Sequence, residues 1–207
     1  MALLGGTTPV DWLVVGLGNP GSQYERTPHN AGFQVARELV RRWELGKGRA
    51  KFRGEFWQGT VREGAGGLGV GPPVKVGVLL PQTFMNESGR SVSPARGQLK
   101  VPLERILVLH DEIDLAFGDV RWRLAGGLAG HNGLKSLKRE LGEPTFGRVR
   151  IGVGRPASTD PEIVSGYVLG KWRQAEHEVE DLVTRASDAA ESIVFGHREL
   201  VAAKPNG

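Results

Sequence analysis

The sequence predicts a single α/β domain: a mixed, mostly parallel β-sheet flanked by helices, with a long amphipathic helix near the C-terminus. Three observations predict it. Two apolar runs of strand length, Trp12 to Val15 and Ile106 to Leu109, each lead into a dense polar cluster. Segments with helical spacing alternate with extended ones along the chain. At 207 residues, with neither an internal repeat nor a linker, the chain has the size of one domain with a sizeable core.

Asp11 to Leu17 reads as a buried strand. Ala31 to Trp43 places Phe33, Ala36, Val40 and Trp43 at helical spacing, with Asn30 as the expected N-cap. Glu55 to Arg62 and Val74 to Leu80 alternate as strands do, joined by a glycine-rich turn region over 64–73 that is expected to be mobile and peripheral. Ser88 to Leu99 is a helix candidate interrupted by Pro94 and Gly97. Arg105 to His110 is a second buried strand and Val120 to Leu124 a third extended piece. Gly133 to Leu141 reads as helix stopped by Gly142, and Phe146 to Gly154 as a strand with Val149, Ile151 and Val153 on one face. In the last helix, Gln174 to Phe195, a stripe runs through Ala175, Val179, Leu182, Val183, Ala186, Ala190, Ile193 and Val194, and Gly196 ends it. Residues 11–198 therefore form the domain, with tails expected over 1–10 and 199–207.

Composition excludes several classes of function. The chain is 39% hydrophobic and 24% charged and lacks cysteine. Disulfides, thiol catalysis and cysteine-ligated zinc are ruled out, and the absence of cysteine is compatible with a reducing cytosol. Met1 to Gly6 has no basic start and is too short for a secretory signal, and no apolar run approaches the roughly 20 residues of a membrane span. A cytoplasmic location is expected. The formal charge of +4 is unevenly spread: 37–53 holds seven bases against two acids, 131–155 six against two, and 160–199 nine acids against four bases. Basic patches with an acidic end suit a polyanion bound on one side, although solvated helix faces would give the same pattern.

The polar clusters carry the chemistry. Gly18 to Asn30 follows the first strand and contains Asn19, Tyr24 and His29; His110-Asp111-Glu112-Ile113-Asp114 follows the second. Two strands ending in such residues place one cleft at the carboxyl edge of a parallel sheet. Histidine is poised near neutral pH and a buried aspartate fixes its tautomer, so His29 with Asp111 reads as a base that activates water. Asn19 and Asn30, beside a histidine, suit the orientation of water or a carbonyl, although each taken alone reads as a maker of turn and cap hydrogen bonds. Asn86 also sits at a strand end, after Phe84 and Met85, which could line an apolar surface for a substrate side chain, although core packing is the stronger expectation for Phe84. Gly126 to Gly133 opens a helix whose N-terminus suits a carboxylate, phosphate or oxyanion. Gly16 to Gly21 matches the dinucleotide pattern G-x-G-x-x-G, but Pro20 and Pro28 delay the helix that pattern requires, so a nucleotide cofactor is not expected. No Gly-x-Ser-x-Gly elbow exists. A metal held by His29, His131 and members of the 110–112 cluster stays an alternative, although His110 and Asp111, as strand neighbours, point to opposite faces.

Taken in register, Gly18-Asn19-Pro20-Gly21 with Tyr24, His29-Asn30 and Gly32, Thr83-Phe84-Met85-Asn86 with Ser88-Gly89, His110 to Leu115, and Gly130 to Lys135 closely resemble the bacterial-type peptidyl-tRNA hydrolase family. The resemblance runs over about 11–198 and continues through Arg148 to Pro156 and Gly166 to Gly170. It implies hydrolysis of the ester joining a stalled peptide to the terminal ribose of tRNA, without metal or cofactor, by a monomer whose partner is peptidyl-tRNA. It implies His29 as base, Asp111 as its orienting carboxylate, and Asn19 and Asn86 as positioners of water and the peptidyl group. Asn132 is implied as a further donor, Tyr24 and Met85 as cleft lining, and Arg121, Arg123 and Arg150 as holders of the tRNA 5′-phosphate. Pro28, Ala116-Phe117, Ala129 and the neutral-to-acidic stretch 157–162 depart from the family pattern. The alternatives are a non-catalytic RNA-binding relative of the same fold and a metal-dependent esterase or peptidase.

Overall fold

The computed structural model describes residues 8–64 and 69–201. Among these, seven strands form one sheet in the order β2-β3-β4-β1-β5-β7-β6: β1 (Trp12–Gly16), β2 (Arg49–Lys51), β3 (Gly54–Glu63), β4 (Val70–Pro81), β5 (Ile106–Glu112), β6 (Val120–Leu124) and β7 (Gly147–Gly152). The central β4-β1-β5-β7 pairs are parallel, while β2, β3 and β6 pair antiparallel at the two edges. Central parallel strands are covered on both faces, which is why β1 and β5 are built on unbroken apolar runs and are buried throughout.

Helices make the outer layers. On one face, α1 (Ala31–Arg42) and α5 (Glu176–Val194) bury Phe33, Val35, Leu39, Leu182, Ala186 and Ile193 against Val14, Val78, Leu107 and Leu109. On the other, α2 (Gly89–Leu99) and α3 (Asn132–Leu141) bury Val92, Leu99, Leu134 and Leu137 against Leu13, Val15, Leu79 and Val108. Alternate residues of β1 thus feed two cores. The helix α1 crosses closely: a Cβ on Gly32 would lie 2.6 Å from the backbone nitrogen of Leu17, and closer still to the carbonyl of Leu109.

Most expected elements form, and the differences have physical causes. Pro94 lies inside α2, yet the helix persists because Val92, Ala95 and Leu99 bury one face and outweigh the lost backbone bond. Within the region expected to be a mobile turn, 65–68 lie outside the described residues, and Gly71-Pro72-Pro73 belong to β4 rather than to a turn. Asn30 precedes α1 but does not cap it, because its amide is engaged elsewhere. Strand β2 and the helix α4 (Pro161–Leu169) are absent from the sequence reading. Helix α4 did have a legible start: Asp160 accepts from the Glu162 amide at 2.8 Å and Pro161 occupies the first turn. Of the expected tails, 1–7 and 202–207 lie outside the described residues. Thr8 bonds the Gln58 side chain, the Val10 amide donates to the Leu99 carbonyl, and Arg198–Val201 form a 3-10 turn.

Candidate active site

The carboxyl ends of β1, β4 and β5 open at one edge of the sheet, and each hands the chain to a segment that delivers a polar side chain. After β1, Pro20 and Pro28 keep the backbone out of α-helix, so Gly18 to Asn30 runs as a loop with two 3-10 turns, Ser22–Tyr24 and Pro28–Asn30. Asn30 braces this loop. Its Oδ1 accepts from the Asn19 backbone amide at 2.9 Å and its Nδ2 donates to the Asn19 carbonyl at 3.0 Å. The side chain of Asn19 then reaches across to the segment after β4, where Oδ1 accepts from the Met85 backbone amide at 2.8 Å. That bond fixes the amide orientation and turns Nδ2, which has no protein partner among the described residues, outward.

His29 sits in the second 3-10 turn, and its Nδ1 lies 3.0 Å and 3.1 Å from the two carboxylate oxygens of Asp111 at the end of β5. Asp111 is buried, so it needs donors, and a second comes from His131, whose Nε2 lies 3.0 Å from Oδ1. Burial works against the charge of Asp111, yet the imidazoles of His29 and His131 hold its carboxyl well below the usual carboxylate range. Burial likewise opposes a charge on His29, but Asp111 overrides it and raises the imidazole above 6.5. With Nδ1–H donating to the carboxylate, the lone pair of His29 is on Nε2. His110 lies beneath, with Nδ1 2.7 Å from the Asp111 carbonyl and its pKa pushed down to about 3, chiefly by burial.

These groups line a cavity of about 660 Å³. Its polar wall is Asn19, His29, Asn86, Asp111, His131 and Asn132. Its apolar wall is Phe84, Met85, Ile113 and, from α4, Val164, Val168 and Leu169. His29, Asp111 and His131 offer ligand atoms within 4.8 Å of one another, a spacing that would accommodate a metal ion. Hydrogen-bond polarity argues against that use. His131 Nδ1 accepts from the amides of Gly133 and Leu134, so Nε2 carries the proton and has no lone pair to give a metal.

Residues 13–206 match the family described as Peptidyl-tRNA hydrolase. The chain belongs to the peptidyl-tRNA hydrolase family. It is 43% identical over 183 residues to the peptidyl-tRNA hydrolase of Geobacillus kaustophilus, covering 88% of this chain and 92% of that protein. It is 40% identical over 190 residues to that of Neisseria gonorrhoeae, covering 90% and 92%. Among solved structures, the peptidyl-tRNA hydrolase of Acinetobacter baumannii superposes with a TM-score of 0.74 at 38% identity, covering 95% of this chain and 91% of that one.

Of the residues the peptidyl-tRNA hydrolase resemblance singles out, the fold gathers six around one cavity: Asn19, His29, Met85, Asn86, Asp111 and Asn132. Tyr24 is half-buried in the loop and does not line that cavity. Arg121, Arg123 and Arg150 also stand outside it, on the β6–β7 pair. There Arg121 faces Arg150 in register and Arg123 faces Arg148, so all four arginines share one face. Arg150 pairs with Glu112 at 3.1 Å, Arg121 meets Asp119 at 3.4 Å, and the exposed Arg123 has no acidic partner among the described residues. Phe84 is 59% exposed at the cavity rather than packed in the core; its neighbour Met85, whose amide bonds Asn19, is the residue this segment buries.

Two contributors escape the sequence reading. His131 is weighed there only as a metal ligand, whereas it bonds Asp111 and caps α3. A histidine directly before Asn-Gly at a helix start was the available signal. The buried Arg148 donates to the carbonyls of Ala125 and, at 2.7 Å, Gly127, tying down the loop that leads to α3. That loop holds Ala125, Gly126, Ala129 and Gly130 at positive φ. Ala129 adopts φ 47° although it carries a Cβ.

Proposed function

We propose that this chain hydrolyses the ester between peptide and tRNA in peptidyl-tRNA released from stalled ribosomes, freeing the tRNA for reuse. The observation that carries the proposal is the approach of His29 Nδ1 to Asp111 at 3.0 Å, which reserves Nε2 for a water in the cavity. His29 takes a proton from that water as its oxygen bonds the ester carbonyl. The carbonyl electron pair moves onto oxygen, where the Asn132 amide and the positive end of α3 stabilise it, while Asn19 and Asn86 position the water and the peptidyl group. Collapse expels the ribose oxygen, which recovers the proton from the imidazolium. Asp111 stabilises that imidazolium throughout and keeps its own charge.

An ester is activated enough that a positioned base, a held water and oxyanion donors suffice, so the reaction proceeds without metal or cofactor. Phe84, Met85 and the α4 wall take the peptide. Tyr24 contacts the substrate from the loop after β1, outside the cavity itself, and Arg121, Arg123 and Arg150 hold the 5′-phosphate of the tRNA. The enzyme works as a cytoplasmic monomer, with residues 11–198 as its hydrolase domain. Among the described residues, no helix is long and apolar enough to cross a membrane.

The test is peptide release from purified peptidyl-tRNA by the wild type and by His29→Ala, each with and without chelator. Release by the wild type that ignores chelator, together with loss of release but retained tRNA binding in the variant, is expected. Loss on chelation and recovery with zinc would instead favour a metal-dependent esterase, and the absence of release from any peptidyl-tRNA a non-catalytic RNA-binding relative.

A further inference from the structure

His131 touches the catalytic pair from the N-terminus of α3. Its ring is wedged between two others, with centroids 5.1 Å from His29 and 5.0 Å from His110, the latter edge to face. Its two nitrogens meet different chemistry. Nδ1 lies 3.1 Å from the Gly133 amide and 3.4 Å from the Leu134 amide, both backbone donors at the N-terminus of α3. A nitrogen facing two N–H groups must be an acceptor, so the ring proton lies on Nε2, 3.0 Å from Asp111 Oδ1. Helix α3 thereby dictates a tautomer, and that tautomer obliges His131 to donate to Oδ1, one of the two carboxylate oxygens that His29 contacts.

We propose that His131 is a positioning residue: α3 locks it as an Nε2–H donor, which holds the Asp111 carboxylate in place against His29 and tempers its pull on that imidazole. The role rests on the hydrolase reading only where catalysis is measured. The titratable groups facing His131 are His29 from the 3-10 turn and His110 and Asp111 from β5. Of these, His110 spends its Nδ1 proton on the Asp111 carbonyl and cannot substitute as a donor to the carboxylate. If the Nε2–H bond is removed, Asp111 concentrates its charge on His29. The imidazolium is then favoured further, and the base is free only at higher pH. The freed carboxylate also rotates, so the imidazole loses its aim.

His131→Ser separates the two duties, since serine caps a helix well but is too short to reach Asp111. Three readouts test the proposal. In the wild type, imidazole nitrogen NMR should show His131 protonated at Nε2 and not at Nδ1. In His131→Ser, the titration of His29 followed by the same method should move to higher pH by about half a unit to one unit. Its kcat on peptidyl-tRNA should fall about 10- to 100-fold with KM unchanged and the melting temperature near that of the wild type. A proton on Nδ1 of His131, or an unmoved His29 titration in a folded variant, would overturn the proposal whatever kcat does. Because the NMR readouts need no turnover, they stand apart from the His29→Ala test of the hydrolase activity itself.

Discussion

The Nδ1 atom of His29 and the carboxylate of Asp111 lie 3.0 Å apart although 82 positions separate them in the chain. They meet because β1 and β5 are adjacent parallel strands, with Gly16 in register with Leu109, so the loop leaving β1 faces the last residues of β5. Gly32 adds the closeness, since α1 could not otherwise sit over both strands.

Asp111→Asn should lower kcat for peptide release by about 10³- to 10⁴-fold with little change in KM, because the amide cannot stabilise the imidazolium. Steady-state kinetics on peptidyl-tRNA measure this. A loss confined to KM would assign Asp111 to substrate binding.

The pH dependence is set by the raised pKa of His29. The base acts only when neutral, so kcat/KM should rise with pH through a limb above 6.5, the ordinary imidazole value. The stability contribution runs the opposite way. The protonated pair favours the folded state below the unfolded pKa, and this is lost as pH rises through the folded value. A pH–rate limb at or below 6.5 would mean that burial, not Asp111, dominates the charge of His29.

Alanine at Arg121, Arg123 or Arg150 should weaken tRNA binding and flatten its salt dependence by about one counterion for each phosphate no longer held, while a short ester substrate is cleaved as before. Arg123 should show the largest binding effect, because it is exposed and has no acidic partner among the described residues, whereas Arg150 must leave Glu112. Titrations at several salt concentrations decide it, and equal losses on both substrates would make these arginines structural.

Gly32→Ala should destabilise the fold by about 1–3 kcal/mol or more, since the added methyl meets backbone that cannot swing aside. Chemical denaturation would show it. A variant of wild-type stability would mean that α1 can lift off the sheet at little cost.

Much of the architecture is legible because burial leaves a local record. Strands covered on both faces read as unbroken apolar runs, as Leu13, Val14 and Val15 do in β1, and the stripe of α5 recurs at helical spacing. Local rules fail where packing or distant partners prevail. Proline disfavours the helix interior, but the buried face of α2 holds that helix together through Pro94. Asn30 has the position and chemistry of a cap for α1, but Asn19 claims its amide. The apolar ring of Phe84 favours burial, but the segment after β4 buries Met85 instead, bonded to a residue 66 positions earlier, and leaves Phe84 exposed at the cavity.

The sequence by itself determined which strands are buried, where loops must break from helix, and which polar residues wait at strand ends, because each depends on neighbours within a few positions. Only the tertiary structure decided that Asp111 serves two histidines, that His131 donates rather than ligates, and that α4 completes the cavity wall. Those outcomes depend on the direction of single hydrogen bonds and on packing between distant segments, both of which are set by where the backbone finally places its donors, acceptors and apolar faces.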